Sequence, residues 1–430
     1  MGLIMFGSLI GMILFNIPVA VAIGLAAMLG IIVSSLPLQM IVVAQRMFTS
    51  VDSFPFMAIP FFMLAGGIMG KGGISKRLIA LASTMIGALP GGLGLITIVA
   101  SAFFGAISGS NPATVAAIGG IMVPAMVAKG YPAAFAGAIS AGGGTLGVVI
   151  PPSIPMITYG VVAGVSIGDM FIAGIGPGLL MAVALCLVVV IRSRKENIPT
   201  EDRQSFNAFY QAFKDAALAL IMPIIILGGI YGGVFTPTEA GAVAVVYSII
   251  VSVVVYKELN LKEFGDVIVK AGVTTSIVFF VIATSQSFSW LITVARISEA
   301  IAAGMLSLSE NPFVIISLVN LLLLFLGIFL ETQAIILLVA PILLPILTAI
   351  GMDPIMIGII MVVNTSIGMI TPPLAVNLFV AAGLVKEYNV SMERISVKIV
   401  PFLIAGIICI VLVSNFEFIS MGLLRLVKGM

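Results

Sequence analysis

Apolar runs of roughly 20 residues, each long enough to cross a hydrocarbon core of about 30 Å, recur along the whole chain between short polar connectors. About a dozen can be marked off by that length criterion, some of them interrupted. They predict membrane-spanning helices and leave no soluble domain when removed. The longest polar connector falls at residues 192–215. Residues 200–215 and 261–270 mix apolar and charged positions at helical spacing, which predicts amphipathic helices lying along the membrane surface. Glu239, in "FTPTEAG", has the Thr-Pro-x-Glu pattern of a helix N-terminus.

The interruptions are not random. "FFGAISGSNPATVAAIGG" (residues 103–120) breaks an apolar run with small residues, two serines, an asparagine and a proline. A counterpart, "FLGIFLETQAIILLVAP", starts at residue 325. Gly105 and Gly327, and the closing Pro132 and Pro354, stand 222 positions apart. Downstream, "GGTLGVVIPPSIPMI" matches "NTSIGMITPPLAVNL" at an offset of 221, pairing Gly147 with Gly368 and Pro151-Pro152 with Pro372-Pro373. Each half therefore carries a helix running into a polar break, then a helix broken at Gly-x-x-(Ile/Thr)-Pro-Pro. Paired broken segments in two halves point to a midplane binding site in secondary transporters. Whether the halves are inverted depends on the number of crossings in each, which hydropathy does not fix.

The breaks have a chemical consequence. A Pro-Pro pair removes two N–H donors and bends the preceding residues away from helical geometry. Freed carbonyls are costly in hydrocarbon unless protein, water or a cation takes them. The expected acceptors are the carbonyls of Gly147 and Ile150, with the Ser153 hydroxyl nearby, and those of Gly368 and Thr371 in the second half. Such oxygens suit a hard cation. Ser108, Ser110 and Asn111 precede Pro112, which reads as a fresh helix start whose free N–H groups favour an anion. A re-entrant hairpin with its tip at this break fits the pattern, and close packing of small residues is the alternative reading. Glu331 occupies the place of Gly109 and is the only charge from Pro312 to Ala349, so it could neutralise a cation or cap the hairpin. Arg296, the only basic residue between Lys270 and Lys386, could face a substrate carboxylate or reach to an interface. Asn377 is a candidate hydrogen-bond donor to substrate.

Composition narrows the class further. Of 430 residues, 61% are hydrophobic and 8% charged, with a mean hydropathy of +1.30; about 25% charged is usual for soluble domains. A net charge of +2 argues against nucleic acid as a partner. Histidine is absent, and Cys186 and Cys409 both lie in apolar runs, so neither a metal centre nor a disulfide frame is expected. Serine-elbow and nucleotide-loop motifs are missing, which argues against an enzyme and leaves ion gradients as the energy source within the chain. The N-terminus lacks a positive leader and reads as the first membrane helix. Arg425 and Lys428 predict a cytoplasmic C-terminus.

With SGSNPATVAAIG, IPPSIP, FTPTEAGA and IGMITPPLAVNLF in view, nearly the whole chain resembles the large membrane subunit of the tripartite ATP-independent periplasmic (TRAP) transporters. The resemblance implies an all-α integral membrane protein of the bacterial or archaeal inner membrane. It implies an elevator-type transporter, with a scaffold and a transport domain and two repeats, each bearing a re-entrant hairpin and a broken helix. On that basis the chain is one permease domain, with repeats near residues 50–170 and 275–390 around the 192–215 connector. The implied activity is Na⁺-driven import of an organic acid such as a C4-dicarboxylate, keto acid or sialic acid. The implied partners are a small four-helix membrane subunit and a periplasmic substrate-binding protein. One family sodium site matches Gly105, Ser108, Asn111, Gly147, Ile150 and Pro152; the second matches Gly327, Thr332, Gly368 and Thr371. Substrate is expected near Ser108, Ser110, Ser153 and Arg296. The family often has Asp where this chain has Glu331; an acid of either length keeps the charge, and the geometry of that site is left open. The alternatives are a stand-alone anion:sodium symporter of a related elevator fold, and a membrane scaffold or channel without a coupled cycle.

Overall fold

A computed structural model describes residues 1–15, 17–34, 39–196, 198, 205–308 and 311–429. Among these residues the regular structure is entirely helical, and nine helices are long and apolar enough to cross a membrane. Their outward faces carry Leu, Ile, Val and Phe side chains, such as Leu187, Ile224, Ile277 and Leu321, as expected where the solvent is lipid.

Helix Ile167–Lys195 serves as a ruler. Its 29 residues span about 44 Å at 1.5 Å per residue, so its ends lie on opposite membrane faces. Just past its last turn, Glu196 accepts a hydrogen bond from Lys398 Nζ at 2.6 Å. At its first turn, Asp169 pairs with Lys428. Arg192, Arg194, Lys195, Arg394 and Lys398 gather at the former end, which the positive-inside rule makes cytoplasmic. Helix Met392–Asn415 leaves that face, and Glu417–Lys428 follows it on the other. The C-terminus is therefore on the outer face, contrary to the expectation from Arg425 and Lys428. Both cations are held there by local carboxylates, Arg425 by Glu417 and Lys428 by Asp169.

The same ruler settles the relation between the repeats. The base of the first hairpin (Gly92–Ser108 and Asn111–Ala128) abuts Val189 and Ser193, near the cytoplasmic end. The second hairpin (Pro312–Phe329 and Thr332–Ala349) runs into helix Pro354–Gly368, whose Gly358 abuts Met170 at the outer end. The Tyr159 hydroxyl fastens that start by donating to the Pro354 carbonyl at 2.7 Å. The two hairpins enter from opposite faces, so the repeats are inverted.

The two expected surface helices are not separate elements. Phe206–Tyr231 and Leu261–Val294 are continuous helices of 26 and 34 residues whose polar beginnings run unbroken into apolar spans. Residues 199–204 of the connector lie outside those described. The sequence also marked the start of helix Pro237–Ile249, where Thr236 and Glu239 form a reciprocal capping box. Thr236→Ala is expected to lower stability by about 1 kcal/mol, read as a drop in melting temperature of the purified protein. Cys186 and Cys409 are unpaired thiols, the latter buried.

Candidate functional site

Connections between helices normally reach the surface, because exposed backbone needs water. The first hairpin does the reverse: Ser108, Gly109 and Asn111 at its turn are buried. Gly109 adopts φ +58°, which closes the turn tightly. The Ser108 hydroxyl lies 3.0 Å from that of Thr114, which also donates to the Ser110 carbonyl at 2.8 Å. Behind the tip, backbone meets backbone: a Cβ on Gly105 would sit 3.0 Å from Gly147 Cα and from the Leu146 carbonyl oxygen. Gly147 ends a short 3-10 turn, Thr145–Gly147, and the chain stays irregular until helix Ile154–Ala163. Because Pro151 has no N–H, the Gly147 carbonyl has no helical donor four residues on.

The second half repeats this arrangement with one change. A Cβ on Gly327 would lie 2.7 Å from Gly368 Cα. Pro372 removes the helical donor for the Gly368 carbonyl, which accepts a turn bond from Thr371 N at 2.9 Å instead. The Pro151–Pro152 and Pro372–Pro373 bonds are both cis. The tip differs because Glu331 replaces the glycine. Leu330 and Glu331 run extended, at φ −120° and −71°, where Gly109 turns left-handed. Glu331 precedes helix Thr332–Ala349 but its side chain makes no cap hydrogen bond, so it does not hold the hairpin in that way.

A polar seam joins the halves. Asn111 is fully buried; its Oδ1 accepts from Val148 N at 2.9 Å and its Nδ2 donates to Ser366 Oγ at 2.8 Å. Ser366 Oγ donates in turn to the Thr145 carbonyl at 2.6 Å. Thr145 and Ser366 are repeat equivalents at the 221 offset, so the bond crosses between the two breaks near the symmetry centre.

Both tips open onto one cleft. Gly109, Ser110, Asn111 and Pro112 line it from the first hairpin, and Glu331, Thr332 and Gln333 from the second. Met63, Val148, Ile154, Pro155, Val278 and Met369 complete it. Its interior of about 20 Å³ suits a single ion or water, so an organic acid enters only if the tips part. The hairpin tips and breaks thus bring Gly105, Ser108, Asn111 and Gly147 into one cluster, and Gly327, Thr332, Gly368 and Thr371 into its counterpart. Pro152 approaches the first tip through its carbonyl, 3.2 Å from a Cβ on Gly109, while the Ile150 side chain packs on Gly178.

Of the expected substrate residues, Ser110 lines the cleft and Ser108 stands beside it at the tip, while Arg296, Ser153 and Asn377 are not part of the lining. Arg296 is exposed in the turn beyond helix Leu261–Val294. It is 18 residues past cleft-lining Val278, about 27 Å along the helix direction. Ser153 is fully buried and caps helix Ile154–Ala163 by accepting from Met156 N at 3.4 Å. Asn377 is also fully buried and donates to the Ala141 carbonyl at 3.3 Å. The sequence reading missed Gln333, Met63 and Met369. The signal for Gln333 was available, since it stands 222 positions after Asn111. Met369 contacts Asn111 Nδ2 and Thr332 Oγ1, each at 3.5 Å, and so touches both tips. Among the described residues no group of three His, Cys, Asp or Glu side chains is placed to hold a metal, so a cation seated at these breaks would be held mainly by neutral oxygens.

Comparison with known proteins agrees with this architecture. Residues 6–419 match the family described as the tripartite ATP-independent periplasmic transporter, DctM component. The chain is 45% identical over 415 residues to the isethionate TRAP transporter permease protein DctMQ of Oleidesulfovibrio alaskensis, covering 96% of this chain and 64% of that longer protein. It is 37% identical over 436 residues to the C4-dicarboxylate TRAP transporter large permease protein DctM of Rhodobacter capsulatus, covering 98% of each. The fold resembles that of the YdaH transporter of Alcanivorax borkumensis, with a TM-score of 0.65 at 14% identity, covering 96% of this chain and 98% of that one.

Proposed function

Because the chain belongs to the DctM component family of the tripartite ATP-independent periplasmic transporters, we propose that it couples Na⁺ entry to import of an organic anion across the inner membrane. It is a multi-pass transport protein rather than an enzyme. The observation that carries the proposal is the meeting of two inverted hairpin tips on one cleft, each backed by a glycine–glycine backbone contact beside a Pro-Pro break.

In this reading Na⁺ occupies the two break clusters. The Gly147 and Gly368 carbonyls, with hydroxyls from Ser108, Thr332 and Thr371, replace its water shell. The helix start after Ser110 presents N–H groups to the anion, and Glu331 adds charge beside the cation. The two hairpins and broken helices would move together as the transport domain of an elevator, carrying the cleft between faces against the remaining helices. The relatives' names suggest the substrate class, which would be small organic anions. Isethionate is a sulfonate, so that class is wider than the carboxylic acids expected from sequence. A small membrane subunit and a periplasmic binding protein would complete the system.

Uptake by reconstituted vesicles tests this. Labelled C4-dicarboxylate or isethionate should accumulate only with an inward Na⁺ gradient, the small subunit and the loaded binding protein. Full uptake of free substrate by the chain alone would instead identify a stand-alone symporter. Accumulation indifferent to Na⁺ would remove the coupling from the proposal.

A further inference from the structure

Gln333 is only 5% exposed, yet neither its Oε1 nor its Nε2 has a hydrogen-bond partner among the described residues. Two unpaired polar atoms on one buried side chain are unusual, because leaving them so is costly. The repeat sharpens the anomaly. Asn111, the equivalent residue, has its acceptor and its donor both engaged by the protein. Gln333 carries the same carboxamide on the opposite wall of the same cleft, with both ends free.

We propose that Gln333 reads a hydroxyl group on the transported anion and so sets substrate preference. The argument is one of complementarity. A carboxylate or sulfonate is acceptor-only, so it could satisfy Nε2 but would set like partial charges against Oε1. A hydroxyl offers a donor and an acceptor at one atom and can meet both needs. The inference rests on the transport reading above and adds to it a substrate class: anions bearing a hydroxyl near the charged group. Met63, Met369 and Val278 would face the carbon skeleton.

The test uses the full chain, with the small subunit and binding protein added for the uptake arm, and probe pairs differing by one hydroxyl: malate with succinate, and isethionate with ethanesulfonate. Binding in Na⁺ is measured by titration and uptake by vesicle assay, for wild type and Gln333→Met, an apolar change of similar length. Wild type should favour the hydroxylated member of at least one pair. Gln333→Met should lower that preference about tenfold, the scale of one hydrogen bond lost from a buried site. Wild type that favours the deoxy members, or a variant that keeps the hydroxyl preference, overturns the proposal. A probe-free measurement separates it from the transport reading. Removing two unpaired buried atoms should leave the melting temperature unchanged or higher. A clearly lower melting temperature would reveal an internal partner for Gln333 and also overturn the proposal. Absence of Na⁺-driven uptake for every anion, with the melting result as expected, would count against the transport reading alone.

Discussion

Gly368→Ala should cut Na⁺-driven uptake at least tenfold while the protein still inserts and folds. The added Cβ would lie 2.5 Å from Gly327 Cα and 2.9 Å from Gly327 carbonyl carbon. Both are backbone atoms, so no side-chain rotation relieves the clash and the second hairpin must back away from the break. Overpacking of this kind costs about 1–3 kcal/mol. Here that cost falls on the geometry of the Gly368 carbonyl. Gly327→Ala should behave alike, since the contact is mutual. Gly120→Ala supplies the control: it lies in the first hairpin with nothing within 4 Å of its added Cβ, and uptake should stay within about twofold of wild type, as for other substitutions that touch nothing. The measurement is initial uptake at matched protein level, with Na⁺ varied. Wild-type uptake by Gly368→Ala would show that the close approach of the two backbones is incidental.

Asn111→Ala should be comparably damaging, by loss of contact instead of crowding. It leaves the Val148 N–H without its acceptor and takes the Asn111 donor from Ser366, both in fully buried surroundings. A buried polar group left unsatisfied costs about 1–3 kcal/mol. Uptake should fall at least tenfold, with the Na⁺ concentration for half-maximal rate displaced upward. Asn111→Asp keeps the acceptor for Val148 and loses the donor to Ser366, so it should fall between alanine and wild type. An unchanged Na⁺ dependence in Asn111→Ala would separate this residue from the ion site.

Much of the site was legible because it is written in local chemistry. A Pro-Pro pair deletes donors wherever it occurs, and a glycine four residues before it marks the carbonyl left behind. Repetition at nearly one offset made Gly105, Gly147, Gly327 and Gly368 visible as two pairs. The capping box at Thr236 was legible for the same reason: its partners are three residues apart. What could not be read depends on direction and distance through space. Inversion follows from which face each hairpin enters, and the sequence does not number the crossings. The polar openings of Phe206–Tyr231 and Leu261–Val294 looked like surface helices because a composition window does not reveal that the helix continues. Arg296 attracted notice as an isolated cation, but it is exposed in the turn past the end of its helix and does not line the cleft. Asn111 and Gln333 look alike in sequence, and only the fold shows one bonded and the other not.

The bond between Asn111 and Ser366 also bears on how the protein is made. The two residues are 255 positions apart. At about 5–20 residues per second, the ribosome needs roughly 13–50 s to travel between them. For that interval the Asn111 donor lacks its Ser366 acceptor, and the first break has only one side of its seam. Biogenesis must shelter a half-built polar centre, with water or the insertion machinery filling the role that the second repeat assumes on its arrival.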